Sequence, residues 1–143
     1  MKIMALDVGD KTIGVALSDD LLITAQGLTT IERVGIRKDT TAVLNLVKEY
    51  GCTTIVVGLP LNLDGTDSQQ TGKVREFTTL LGNKLRSSGL QEVEIVFQDE
   101  RFSTLIAEKV LIEADVSRKK RKNVIDKQAA TVILQSYLDQ RKY

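Results

Sequence analysis

The sequence predicts one α/β domain built on a five-stranded mixed sheet, in which strands 1–3 form an antiparallel meander, strands 4 and 5 run parallel, and helices flank the sheet. Two observations support this prediction. The first strand, over residues 3–6, is an unbroken apolar run, which is typical of a central strand covered on both faces. Later in the chain, helical and strand patterns alternate, and a strand reached through a helix normally lies parallel to its predecessor. We therefore expect the strand order 3-2-1-4-5.

The meander is predicted from two turn signals. Residues 9–11 indicate a hairpin, and the apolar segment 12–18 that follows reads as the second strand. Residues 19–20 indicate another turn before a third strand over 21–31, in which Gly27 is a candidate bulge.

From residue 38 onward, the spacing of apolar residues switches between the helical and the strand period. The predicted elements are, in order, a helix over 38–50 that stops at Gly51, a strand over 53–58, a helix that closes at Gly89, a strand over 93–97, a helix from about Ser103, a mobile loop over 113–122 and a last helix over about 123–140.

Length and composition predict a single domain over residues 1–143 that needs no disulfide or structural metal, because 42% of the residues are hydrophobic. The one cysteine, Cys52, is interpreted as a small core residue. No histidine is present, so a conventional zinc site is not expected and the usual neutral-pH general base is missing. The start of the chain shows no leader, and no apolar run approaches the ~18 residues of a membrane span, which favours a cytoplasmic protein.

Three carboxylates are predicted to meet at one edge of the sheet. Asp7 emerges where the first strand ends, and Glu100 follows the fifth strand, so both lie at the same edge if these strands run parallel. Asp126 falls in the helical row that continues through Ala130 and Ile133, on or beside the stripe that faces the sheet. A charge on that stripe needs a partner.

Each carboxylate also has a purely structural interpretation. Asp7 precedes Val8-Gly9 and could bond its own backbone in a turn. Glu100 could form an ion pair with Arg101. Asp126 could be the acidic residue of a capping box in which Asn123 is the N-cap.

If the three acids converge, a divalent metal ion is required. Two unpaired carboxylates ~4 Å apart repel by roughly 4 kcal/mol at an effective dielectric constant of 20. All-oxygen ligands without histidine or thiolate suit Mg²⁺ or Mn²⁺, and two such ions can activate water and stabilise the leaving oxygen of a phosphodiester. In the absence of histidine, the metal would supply the nucleophile for such a hydrolysis.

Four segments together resemble the YqgF/RuvX family of ribonuclease H-like nucleases: residues 7–16, 58–66, 99–104 and 125–130. The resemblance spans nearly the whole chain and implies a ribonuclease H-like fold in a bacterial cytoplasmic protein. The family is described both as a nuclease that matures the 5′ end of pre-16S ribosomal RNA and as a Holliday junction resolvase. By position, the resemblance makes Asp7, Glu100 and Asp126 the metal-binding catalytic acids; no fourth acid is identifiable.

Nucleic acid is the expected partner, although the net charge of +1 gives no global signature of a polyanion binder. The case rests on local charge, above all on the basic run 118–122, which is either a phosphate clamp or a solvated loop. The loop 59–68 leaves the ligand-binding edge of the sheet, or is a plain Asp-Gly turn. The candidate substrate-binding residues are Lys11, Asn62, Arg101, Ser103, Thr104, Arg118, Lys119, Lys120, Arg121 and Lys122.

Two other classes of protein share features of this sequence. The hairpin after Asp7 also resembles the first phosphate loop of actin-like ATPases, but their nucleotide lies between two such domains and this chain has room for one. A non-catalytic RNA-binding or ribosome-assembly module would keep the acids for structure and bind through the basic run.

Overall fold

The computed structural model describes residues 2–99 and 118–141, with side chains from residue 128 onward in the second range. The described elements are, in chain order, β1 (Lys2–Val8), β2 (Thr12–Ser18), β3 (Ala25–Glu32), α1 (Ile36–Tyr50), β4 (Cys52–Leu59), α2 (Gln69–Ser87), β5 (Glu94–Asp99) and α3 (Arg118–Arg141). Over these two ranges, no helix is both long and apolar enough to cross a membrane.

The five strands form one sheet in the order β3-β2-β1-β4-β5, as the sequence predicts. β1 pairs antiparallel with β2 and parallel with β4, and β4 pairs parallel with β5. The carboxyl ends of β1, β4 and β5 therefore lie along one side of the sheet, which we call the carboxyl edge. The pairing of Leu6 with Val57 and of Leu59 with Asp99 puts the ends of these three strands at a similar height.

The sheet separates two hydrophobic cores, because successive side chains of a strand point to opposite faces. Met4 and Leu6 of β1 belong to the larger core, which is formed with α1 and α2. Ile3 and Ala5 belong to a smaller core formed with α3. The apolar run of β1 is thus covered on both faces, and each large side chain buried in this way contributes about 1.5–3 kcal/mol.

The ends of α1 and α2 follow local sequence signals. Gly51 ends α1 in the left-handed conformation (φ 63°), where its N–H bonds the Val47 carbonyl oxygen. The Ser68 hydroxyl accepts a hydrogen bond from the Thr71 N–H, and the Thr71 side chain returns a bond to the Ser68 backbone. The predicted inward residues of α2 are all buried: Val74, Phe77, Leu81 and Leu85.

The third strand begins at Ala25, so its predicted start at residue 21 is wrong. The Asp19 carboxylate accepts hydrogen bonds from the N–H groups of Ile23 (2.7 Å) and Thr24 (3.1 Å), which holds the preceding residues in a turn. The predicted bulge is confirmed, because the pairing with β2 skips the residue after Gly27.

The last helix begins at Arg118, so the predicted mobile loop is wrong for residues 118–122, which lie in its first turns. Residues 113–117 and the predicted helix from Ser103 lie outside the described residues. The basic run carries no hydrophobic period, but Lys and Arg are strong helix formers and extend a helix whose later turns pack on the sheet. Asn123 is consequently inside the helix, which removes the capping-box interpretation of Asp126.

Candidate active site

Asp7 lies next to the end of the central strand, at the carboxyl edge, and its side chain is partly exposed. By strand alternation it is on the same face as Ile3 and Ala5, which is the face covered by α3. Its partner across the antiparallel pair is Gly14, so no side chain of β2 stands directly beside the carboxylate. The position suits a carboxylate that takes part in chemistry at the surface of a rigid sheet.

The turn that follows Asp7 requires a glycine. The Gly9 N–H bonds the Thr12 carbonyl oxygen at 2.9 Å, and a Cβ atom on Gly9 would lie only 2.9 Å from that same oxygen. The turn is also held by α2, because the Gln70 side chain donates to the Val8 carbonyl oxygen (3.4 Å). Lys11, a predicted substrate-binding residue, is exposed in this turn.

Arg33, which sequence reasoning missed, connects this turn to the helices. Its guanidinium donates to the Gly9 carbonyl oxygen (2.9 Å) and to the Asp39 carboxylate of α1 (3.0 Å). The same guanidinium lies 5.4 Å from the ring centre of Phe77 on α2. One cation therefore joins the turn beside Asp7 to both helices of the larger core.

Asp39 is the buried partner of this cation, with 1% of its surface exposed. Burial raises the pKa of the carboxyl, but a hydrogen bond from the Val34 N–H (3.0 Å) and the Arg33 guanidinium outweigh it, so that the pKa is lowered overall. A signal existed in the sequence, since Asp39 lies one helical turn before Val43 on the apolar stripe of α1.

Asn62, another predicted substrate-binding residue, is occupied within its own loop. Its side-chain amide donates to the Thr66 hydroxyl (3.1 Å) and to the Asp67 carbonyl oxygen (3.2 Å). The Asp64 carboxylate closes the same loop by accepting from the Thr66 N–H (3.0 Å). The loop leaves the carboxyl edge as predicted, and in this structure the Asn62 amide shapes it.

The remaining predicted site residues are only partly covered by the structure. Asp99, the residue before Glu100, ends β5 at the carboxyl edge. Asp126 is in α3, but its side chain is outside the described ones, as are those of the basic run. Glu100, Arg101, Ser103 and Thr104 lie outside the described residues, and within the described ones no three His, Cys, Asp or Glu side chains are grouped as a metal site.

Cys52, at the start of β4, is buried as the sequence predicts. Burial raises the pKa of its thiol to about 11, which keeps it protonated at neutral pH. It lies at the opposite edge of the sheet from Asp7 and has no part in the candidate site.

The sheet order and the helix arrangement define a ribonuclease H-like fold. RuvC from T. thermophilus in complex with a Holliday junction substrate superposes with a TM-score of 0.62 at 11% identity, over 99% of this chain and 96% of that one. The yeast mitochondrial Holliday junction resolvase Ydc2 gives 0.61 at 7% identity, over 98% and 78%. At such identities the likeness shows the fold.

Sequence comparison then identifies the family. The chain belongs to the family described as "RuvX: Holliday junction resolvase", which matches residues 1–140. A relative from Desulforamulus reducens named "Putative pre-16S rRNA nuclease" is 53% identical over 139 residues, covering 97% of both chains. A relative of the same name from Caldanaerobacter subterraneus is 52% identical over 143 residues, covering 99% of both. The chain is thus a nuclease of this family, which confirms the resemblance noted from the four segments.

Proposed function

We propose that the protein is a divalent-metal-dependent nuclease of the cytoplasm that matures the 5′ end of pre-16S rRNA, with Asp7, Glu100 and Asp126 as its metal-binding catalytic acids. The observation that carries the proposal is Asp7 itself, a partly exposed carboxylate at the end of the central strand of a ribonuclease H-like sheet. The substrate is inferred from the relatives, whose names give pre-16S rRNA.

The placement of α3 on the sheet supports a meeting of Asp7 and Asp126. The Gln135 side chain accepts from the Ala25 N–H (3.0 Å), and Ala25 pairs with Ser18, whose hydroxyl accepts from the Ile3 N–H (2.8 Å). Gln135 is thereby anchored at the edge of the sheet opposite to Asp7. The longer part of α3 precedes Gln135, and this helix packs on β1, β2 and β3.

The lengths of the two elements agree with this direction. Asp126 precedes Gln135 by nine residues, which is ~13.5 Å along a helix. Asp7 follows Ile3 by four residues, which is ~13 Å along a strand. A helix that runs back from Gln135 over the sheet therefore reaches the height of Asp7 at about Asp126.

The donor set fits Mg²⁺ or Mn²⁺, because the three acids offer only oxygen and the chain has no histidine. When bound, one or two such ions would activate water and stabilise the leaving oxygen of the phosphodiester. The protein's own contribution is to fix Asp7: its turn is closed by Gly9, held by Arg33 and contacted by Gln70. A carboxylate on a rigid strand keeps its position as the substrate binds.

The basic run would hold the phosphate backbone. Its five consecutive residues are all basic, and their backbone is part of α3. Lys and Arg side chains neutralise the phosphates of nucleic acids, so we assign Arg118–Lys122 the role of a phosphate clamp.

A four-way DNA junction is the second candidate substrate, favoured by the family description and by the junction-bound RuvC of the same fold. The test incubates the wild type and Asp7→Asn with a pre-16S 5′ fragment and with a four-way junction, with and without Mn²⁺. Asp20→Asn, at an exposed carboxyl, is the matched control.

We expect Mn²⁺-dependent cleavage of the RNA by the wild type and the control, and a loss of about 10³-fold or more in Asp7→Asn, since metal ions supply several kcal/mol of transition-state stabilisation. Preferred cleavage of the junction would reassign the substrate. Equal cleavage by Asp7→Asn and the wild type would show that Asp7 is not catalytic; the cleavage would then be that of a contaminating nuclease, and the non-catalytic RNA-binding module would be favoured.

A further inference from the structure

A groove of about 420 Å³ runs between the outer side of α2 and the edge strand β5. Its walls include two arginines of α2, Arg75 and Arg86, and two side chains of β5, Ile95 and Phe97. Phe97 is 41% exposed, which is unusual for a large apolar side chain on the core-facing side of a strand. We call this feature the α2–β5 groove.

The chemistry of the α2–β5 groove combines positive charge with a flat apolar surface. The Arg75 guanidinium lies 5.5 Å from the ring centre of Phe97, so the two form one stacked platform. Arg86 is on the same face of α2 as Arg75, eleven residues or ~16 Å further along the helix. Among the described residues that line the groove, none is acidic.

The arginines can exchange their present partners for phosphate. Arg75 is paired with Asp67 at 3.3 Å, but both side chains are about half exposed, and such surface pairs contribute little. Arg86 bonds the side-chain oxygen of its neighbour Asn83. The nearby threonine hydroxyls already donate within the helix, Thr78 to Val74 and Thr79 to Arg75, so the guanidinium groups carry the polar recognition.

The groove also begins beside the candidate site. Phe97 is two residues before Asp99, which ends β5 at the carboxyl edge, and the Arg75 partner Asp67 belongs to the loop that leaves that edge from β4. Asp7 is on the α3 face and the groove is on the α2 face, so a strand of nucleic acid that reaches both passes over the carboxyl edge at the end of β5.

We propose that the α2–β5 groove binds a single-stranded segment of the RNA substrate next to the cleaved bond, with a base stacked on the Phe97–Arg75 platform and phosphates paired with Arg75 and Arg86. Stacking on aromatic and guanidinium planes is how unpaired bases are recognised, whereas bases in a duplex cannot present a free face. The inference rests on the proposed function for the identity of the strand as RNA.

The test measures binding rather than cleavage, so that it does not depend on catalysis. A fluorescently labelled single-stranded RNA is titrated by anisotropy in EDTA with wild type, Phe97→Leu and Phe97→Tyr. We expect Phe97→Leu to weaken binding about tenfold, the order of one base–aromatic stack, and Phe97→Tyr to bind like the wild type because it keeps the ring. Gly82→Met provides a variant that leaves both arginines and the ring in place and fills the groove, since a Cβ at Gly82 would point between Arg86 and Ile95.

The charge contribution is tested by the salt dependence of the same binding. Arg75→Gln and Arg86→Gln should each reduce the slope of log K against log salt by about 0.7, the value for one phosphate contact on a single strand. Arg141→Gln is the matched control, because Arg141 also stacks on an aromatic ring, that of Tyr137, but on the opposite layer. Its slope should equal that of the wild type.

The outcomes separate this proposal from the proposed function. Ring-dependent binding without any cleavage would uphold the groove and overturn the nuclease assignment. Cleavage of RNA with unchanged binding in the Phe97→Leu and arginine variants would overturn the groove alone. Three further outcomes would contradict the groove proposal. The first is that duplex RNA binds as well as single-stranded RNA and without dependence on the Phe97 ring. The others are a preference for single-stranded DNA over RNA, and displacement of the RNA by a polyglutamate peptide at equal charge concentration.

Discussion

The two faces of the sheet are packed with different kinds of side chain. The face under α1 and α2 is filled by large residues, among them Phe77, Leu81 and Leu85. The buried cluster under α3 includes three alanines, Ala5, Ala16 and Ala130, beside larger residues such as Ile133 and Leu134, whereas the described part of the cluster under α1 and α2 contains no alanine. Small residues let a helix lie close to the strands, while large ones bury more apolar area. Among the described residues, the α1–α2 face holds the larger buried apolar cluster and should contribute more to stability, while the alanines of the α3 face set how closely that helix approaches the strand that carries Asp7.

The largest expected effect on stability is on the α1–α2 face. Leu81→Ala removes a fully buried side chain and should lower the free energy of unfolding by about 2–5 kcal/mol. Because Leu81 is remote from the turn after Asp7, the cleavage rate per folded molecule should not change. Urea unfolding and a single-turnover assay on the same preparation check both statements; a rate loss as large as the stability loss would contradict the division between the faces.

The next effect concerns Asp39, the acid that links the α1–α2 face to the turn beside Asp7. Its pKa is lowered from the ordinary value of 3.8, so its contribution is complete above that pH and disappears as the pH falls through the lower, folded-state pKa. Asp39→Asn should cost about 1.5–3 kcal/mol at pH 7, the range for a hydrogen bond to a charged group, because it removes the charged acceptor of Arg33. The difference from wild type should shrink below about pH 3.8.

Asp20→Asn is the control for this pH experiment, since Asp20 is an exposed acid that pairs with Lys2 at 3.2 Å. Its unfolding free energy should stay within about 0.5 kcal/mol of wild type at pH 7. A difference between Asp39→Asn and wild type that persists unchanged at pH 2–3 would show that the lowered pKa is not the cause.

On the α3 face we expect the smallest change in unfolding free energy and a larger change in cleavage rate. Ala130 is fully buried against the sheet, and Ala130→Leu should cost about 1–3 kcal/mol by overpacking. The added side chain should also push α3 away from the sheet and lower the cleavage rate at least tenfold, since small displacements of catalytic groups are costly. Thr131→Leu, a similar change at a partly buried position of the same helix, serves as the control.

The sheet was predictable because each part of it has its own sequence signal. These signals are the unbroken apolar run of β1, the turns between β1, β2 and β3, and the alternation of helical and strand patterns from residue 38 onward. The start of β3 was not, because the Asp19 turn depends on which backbone N–H groups its carboxylate reaches. The start of α3 was missed because a run of charged residues has no hydrophobic period whether it is helical or not.

The candidate site was predictable as a set of acids but not as a structure. Arg33 and Asp39 are six residues apart and form an ion pair. Arg33 also contacts the Gly9 carbonyl oxygen and the Phe77 ring, and both of these residues are distant in the sequence. Asn62 differs: its type and its place in a loop at the carboxyl edge predict a substrate contact, and the structure adds that its side-chain N–H groups donate within that loop.

The buried thiol at the start of β4 can be used to measure local opening of the sheet. Cys52 is the only cysteine of the chain, and its buried, protonated state protects it from alkylating reagents while β4 stays paired with β1. The rate of its modification therefore measures how often that end of the sheet opens. For the same reason, a cysteine introduced at an exposed position would take a fluorescent label selectively, without removal of the native one.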